Sequence, residues 1–339
     1  MGVAGEFVST QPRIMITPFV AYFCMIPIFV WFIFTMTYLY SCGTLNIQPN
    51  DMFATLKESN TAYWMFWAFL FGFFWIIAFF IAVMQFVIAS VCALWYFTYQ
   101  KSDSPAQATA INRSVKWALR THSGSLAFGA MLIAIVTMLK FIFEFFAKQQ
   151  EKLTQSNPVA KAAVWCMRCC IWCLDACVKF VSENAYVQIA IGGFSFCEGA
   201  KNSFFMLTRN PGTFMATKIA GFLMTAIGKA TIMGFTGYIA MLMADANAMA
   251  DGQVIQQPFV PVFFVLLEAW FVAAFFISLF DFSCLTILQC FLISKEMKCA
   301  VWAPDALLDL IDDDDEREVI RHSRTNAGST KNNQVGVAK

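Results

Sequence analysis

Five charged side chains stand where charge is costly. Glu198, Lys201, Lys229, Glu268 and Asp281 all fall inside apolar runs of this 339-residue sequence. An ion at the centre of a membrane helix costs about 2.5–3.5 kcal/mol even on the mild insertion scale, so each must meet a partner or serve a path. Glu198 and Lys201 lie three residues apart, share one helix face and are placed to neutralise each other. Lys229 has no acid in its own run and calls for a partner such as Asp281 or Glu198. Two readings follow: a polar route for a solute or coupling ion, or ion pairs that fix helix register.

Aromatic rings supply a second chemistry. Trp64, Trp67, Trp75, Trp95 and Tyr96 share one long run, and Tyr186, Tyr238 and Trp270 stand in later ones. Near span ends such rings act as interface anchors, as Trp64, Tyr96 and Tyr99 are placed to do. Trp75 lies deeper, where anchoring fails as an explanation. A quaternary ammonium gains about 0.5–2 kcal/mol from each ring face it meets. Lipid-facing helices of a chain with 38 Phe would give the same ring count.

Five of the 12 cysteines, Cys166, Cys169, Cys170, Cys173 and Cys177, fall on one helical stripe. No histidine stands near them, and one helix lacks the loop geometry of a tetrahedral site, so no metal is expected. Reversible palmitoylation of a juxtamembrane stripe and plain packing are the readings left. The sequence holds no phosphate-cradling loop, no His-Glu-x-x-His and no nucleophile elbow, and its histidines are His122 and His322. Neither an enzyme nor a cofactor is expected.

The elements that position these residues follow from composition. Hydrophobic residues make up 59% and charged residues 13%, half the charge of a soluble domain. A net charge of +1 excludes a nucleic-acid binder. Runs over 18–40, 62–99, 124–146, 184–207, 214–243 and 259–294 are each long enough to span about 30 Å of hydrocarbon. Lipid leaves the backbone no outside partner, so these runs must be helical. The expected fold is an all-α integral membrane protein with about six transmembrane helices and one amphipathic, interfacial helix. It is a multi-pass protein of the plasma membrane or of an organelle, the mitochondrion included, with the lipid bilayer as its first partner.

Lys101, Arg113, Lys116 and Arg120 between the second and third runs, and Lys295, Lys298, Arg317, Arg321 and Arg324 after the last, place both regions in the cytoplasm. The segment 1–17 and a polar tail over 297–339, with its acid run at 312–316, then lie there too. The loop 244–258 bears Asp245 and Asp251 and no Lys or Arg, as an outer loop should. The Cys-rich segment 147–183 resists this scheme, because Lys148, Lys152, Lys161, Arg168 and Lys179 would be outside. It reads as an amphipathic helix at the interface or as an additional span that shifts the later topology.

The run from Glu183 to Gly192 (ENAYVQIAIG), followed by Phe196-Cys197, Ala200, Phe204-Phe205 and Arg209-Asn210, resembles the signature of the choline transporter-like family, solute carrier family 44. Trp95-Tyr96-Phe97, the stretch from Ser123 to Gly129, the Cys-rich stripe and Gly228-Lys229 fall in the family's order, and the similarity covers about 16–296. The resemblance implies transport of choline or a related small organic cation on a fold of about ten spans. It marks Asn184, Tyr186, Cys197 and Lys229 as signature positions; Trp75 and Tyr186 are the rings expected to contact a cation, with Asn184, Glu198 and Lys229 beside the substrate. The chain starts where the family's later half starts, so the expectation is transport with a partner or a second copy supplying the other half. Leu285-Thr286 stands ahead of Cys290-Phe291 where the family has Asp-Thr. That lost acid favours a rival expectation, an accessory or structural subunit of a larger membrane complex.

Overall fold

The structure is a computed structural model that describes residues 2–46, 55–58, 60–98, 109–154, 158–251 and 259–297. The expected tail beyond residue 297 and the side chains of Asp245 and Asp251 lie outside the described part. Among the described residues the chain is helical almost throughout: α1 (Gly2–Thr10), α2 (Ile16–Ser41), α3 (Asn60–Phe97), α4 (Ala110–Arg120), α5 (Ser123–Thr154), α6 (Pro158–Gly192), α7 (Phe196–Arg209), α8 (Pro211–Asp251) and α9 (Phe259–Glu296). A small antiparallel ribbon joins α2 to α3, with β1 (Gly43–Asn46) against β2 (Thr55–Glu58) and Gly43 opposite Glu58.

The protein is an all-α, multi-pass membrane protein. Its helices at Pro12–Ser41, Asn60–Phe97, Ser123–Gln149, Pro211–Ala244 and Val260–Glu296 are long and apolar enough to cross a bilayer. Pro27 sits inside α2, where a membrane helix tolerates the missing backbone donor. Pro211 opens α8 at the first helical position, where that donor would be unused anyway.

The structure differs from the sequence expectation around the fourth run. Residues 184–192 continue α6, which begins at Pro158 and therefore includes most of the Cys-rich segment in one unbroken helix. Gly192 and Gly193 end it. Gly193 has φ +71°, a left-handed conformation that costs other residues about 1–2 kcal/mol, and its N–H donates to the Ile189 carbonyl at 2.9 Å. The chain restarts as α7, whose 14 residues reach about 21 Å and fall short of a bilayer. A window of hydropathy over 184–207 cannot see this break, because the residues on both sides of it are apolar.

Contacts divide the chain into two units. The first gathers Met1–Pro18, Ile88–Arg113 and Phe205–Lys339. In it α8 packs on α9, and the last turns of α3 and of α9 are buried, from Ile88 to Tyr96 and from Phe282 to Leu292 save Leu94. Phe7 of α1 meets the edge of Trp95 at 5.4 Å. The hydroxyls of Ser283, Thr286 and Ser294 donate to the carbonyls of Leu279, Phe282 and Cys290, which lets polar residues sit in the buried face of α9. The second unit gathers Phe19–Val87 and Ser114–Phe204, and in it α5 packs along α6.

Candidate functional site

Helices α5 and α6 run antiparallel over their whole length, and three levels fix the register. At one end a Cβ on Gly193 would lie 3.9 Å from the His122 ring just before α5. In the middle Gly129 of α5 faces Tyr186 of α6. Towards the other end Lys140 meets Asp175 at 3.4 Å, and Arg168 clasps Glu144 through two bonds of 2.7 and 2.8 Å. Asp175 also takes Lys179 at 2.9 Å, and the Lys140 ammonium lies 5.8 Å from the centre of the Trp172 ring. Part of the charge on α6 is met by Lys140 and Glu144 of α5.

The signature residues assemble near the Gly193 end of this hairpin. Tyr186 is fully buried, and its hydroxyl has no hydrogen-bond partner among the described residues. Its ring lies 6.0 Å from Phe196, the first residue of α7, and Phe128 meets Phe196 edge-on at 5.5 Å. Gly129 is required here: a Cβ would lie 2.6 Å from the Tyr186 hydroxyl and would also strike the Phe196 ring. Gly199 brings α7 back against α6, where a Cβ would stand 3.2 Å from the Ala185 carbonyl. Ser182 and Ser203, buried on α6 and α7, likewise have hydroxyls without a partner among the described residues. Asn184 is buried and donates its amide to the Phe180 carbonyl at 2.7 Å. Trp75 of α3 donates its indole N–H to the Ala127 carbonyl at 3.0 Å, so it reaches the same turn of α5 that Tyr186 does.

The remaining expected residues are dispersed. Glu198 and Lys201 are both exposed on α7, and no ion pair joins them. Lys229 lies in the other unit, with its ammonium 5.9 Å from the centre of the Trp270 ring rather than against an acid. Glu268 is exposed and Asp281 half-buried on α9, and neither enters an ion pair among the described residues. The intramembrane ion pairs expected of these five residues are absent among the described residues: Glu198 and Lys201 are exposed on α7, and Lys229 lies near the Trp270 ring instead of an acid. The five cysteines of the stripe are exposed on the outer face of α6, and no group of residues suited to a metal occurs among the described residues.

Sequence reasoning missed Lys140 and Glu144. They stand four residues apart inside the run 124–146, and that i, i+4 pair of opposite charges in an apolar helix was the available signal.

Comparison with known proteins now decides the family. The profile of the plasma-membrane choline transporter family matches residues 1–296. The chain belongs to this family. It is 34% identical over 231 residues to choline transporter-like protein 2 of Xenopus laevis, with 66% of this chain and 31% of the relative covered. Human choline transporter-like protein 2 is 34% identical over 226 residues, again 66% and 31%. Choline transporter-like protein 1 of Caenorhabditis elegans is 33% identical over 245 residues, covering 71% and 31%. The chain thus spans about a third of the length of these choline transporter-like relatives. Within it, the family signature that the sequence showed occupies the end of α6 and the start of α7, where Tyr186 and Phe196 close on Gly129 of α5 and Gly199 packs α7 on α6.

Proposed function

We propose that the chain forms part of a route for choline or a related small organic cation across a bilayer. It acts together with further transmembrane segments, whether these belong to the same polypeptide, a partner or a second copy. The observation that supports this reading most is the Tyr186 hydroxyl, buried beside the Phe196 ring with no hydrogen-bond partner among the described residues. A buried donor left unmade costs about 1–3 kcal/mol, which folding alone gives no reason to retain. A passing cation with a hydroxyl group satisfies it: the oxygen bonds Tyr186, and the ammonium meets ring faces. Trp75 and Asn184 line the approach from α3 and α6.

Charge orients this unit. Lys116 and Arg120 of α4, just ahead of His122, lie toward the end marked by His122 and Gly193, which then faces the cytoplasm by the positive-inside rule. The ribbon between α2 and α3 then faces the other side.

Tyr186→Phe tests the site. The hydroxyl holds nothing in place and its burial without a partner is costly, so the variant should fold with a melting temperature at least as high while the KM for choline uptake rises about tenfold, the loss of a hydrogen bond of roughly 1.4 kcal/mol. Unchanged KM would remove Tyr186 from the route. The accessory-subunit reading draws support from Glu198 and Lys201, which leave an exposed charged patch on α7. Stable co-migration with unrelated subunits in mild detergent, without choline uptake by the isolated protein, would favour it.

A further inference from the structure

We infer that a second cation site, an aromatic cage, stands at the opposite end of the same unit from Tyr186. This rests on the choline-carrying reading and deepens it. A cavity of about 290 Å³ opens there between α2, α3 and α5, walled by Tyr40, Tyr63, Phe66, Trp67, Phe141 and Phe145. Its volume is at the lower end of the roughly 300–1,000 Å³ of small-molecule pockets, which suits a small ligand.

The orientation of the walls selects the chemistry. Trp67 stands nearly perpendicular to three neighbours: Tyr63 at 6.1 Å and 77°, Phe66 at 5.5 Å and 86°, and Phe145 at 6.2 Å and 82°. Rings at right angles present faces in several directions to the open cavity, as a compact cation requires. Flat stacking would present one face only. Among the described residues no Lys or Arg lines the cavity to repel a positive charge, and no Asp or Glu lines it, so the rings do the recognising. The ligand class is therefore a quaternary ammonium whose methyl groups pack against the rings and whose charge is spread over them. A choline headgroup meets this description, and so does tetramethylammonium.

Sequence position supports a role at the mouth. Tyr40 precedes the ribbon by three residues and Tyr63 follows it by five, so the two tyrosines stand where the chain leaves and re-enters the membrane region. Tyr63, Phe66 and Trp67 are spaced i, i+3 and i+4, one face of α3. The cage receives the cation before it reaches Tyr186.

The test is equilibrium binding of labelled tetramethylammonium to the intact protein in lipid nanodiscs, which needs no transport. Trp67→Leu should weaken binding about 3- to 30-fold and Trp67→Phe by less, from the loss of one cation–π wall. The uncharged carbon isostere of choline, 3,3-dimethylbutanol, should compete at least tenfold more weakly than choline with the unaltered protein. Equal competition by the neutral isostere would make the cavity a hydrocarbon site and overturn the inference. Full affinity in a folded Trp67→Leu would place the cation elsewhere and overturn it too. A protein that binds tetramethylammonium in this way yet moves no choline would keep the cage and lose the transport reading.

Discussion

At the scale of single residues, the most consequential side chains are those that settle charge or hydrogen bonding inside lipid. Asp175 touches two lysines, and Glu144 holds Arg168 through both of its oxygens. Asp175→Asn leaves Lys140 and Lys179 facing each other with no acid; Asp175 is buried but both lysines are exposed, so the loss is about 1 kcal/mol. Its melting temperature in detergent should fall clearly, whereas a conservative Asp175→Glu should recover part of the loss. The exchange Glu144→Arg with Arg168→Glu should be more stable than either single change. If the double variant were no better than the worse single one, the pair would be two separate surface charges. Among the residues that the sequence singles out, Trp75 and Tyr186 reach the same turn of α5, while Glu198, Lys201, Glu268 and Asp281 find no ionic partner among the described residues. Which charge pairs with which depends on helix register, and register is a property of two segments that one run of sequence does not contain.

At the scale of elements, the break at Gly192-Gly193 decides how the signature is presented. With Gly193 left-handed, α6 stops at the level of His122, and α7 folds back so that Gly199 meets the Ala185 carbonyl. Gly193→Ala should destabilise the protein by about 1 kcal/mol through backbone strain alone. The same change should impair choline uptake more than its stability loss explains, because Phe196 would shift from Tyr186. Comparing uptake by Gly193→Ala and by an equally destabilised variant in α2 checks this; equal uptake by the two would make the break a simple connection. The long apolar runs and their helical state were legible because lipid imposes them residue by residue. The division of 184–207 was not, since Ile189 to Gly193 and Phe196 are all compatible with an apolar span and only the positive φ marks the stop. The pairing of α6 with α5 was equally hidden, because the base that meets Asp175 and the acid that meets Arg168 stand on another helix.

At the scale of the whole molecule, the chain is a piece of membrane architecture with much apolar surface to cover. Most of the apolar window of α2 and of α8 is exposed, with Phe23, Phe34, Phe222 and Phe235 pointing outward. Lipid or further helices occupy those faces, and the relatives it matches are about three times longer than the matched region. Family membership was readable from the run of Glu183 to Gly192 with Phe196-Cys197 and Arg209-Asn210, because those residues are tied to one local geometry. The cage at Trp67 was not, because its six rings come from three helices and look like interface anchors one at a time. The measurement that bears most directly on the proposed route is uptake of labelled choline by proteoliposomes containing the intact protein. Saturable uptake above that of empty liposomes, inhibited by tetramethylammonium and weakened by Tyr186→Phe, is the predicted result. Uptake indistinguishable from empty liposomes, with the protein folded and inserted, would contradict it.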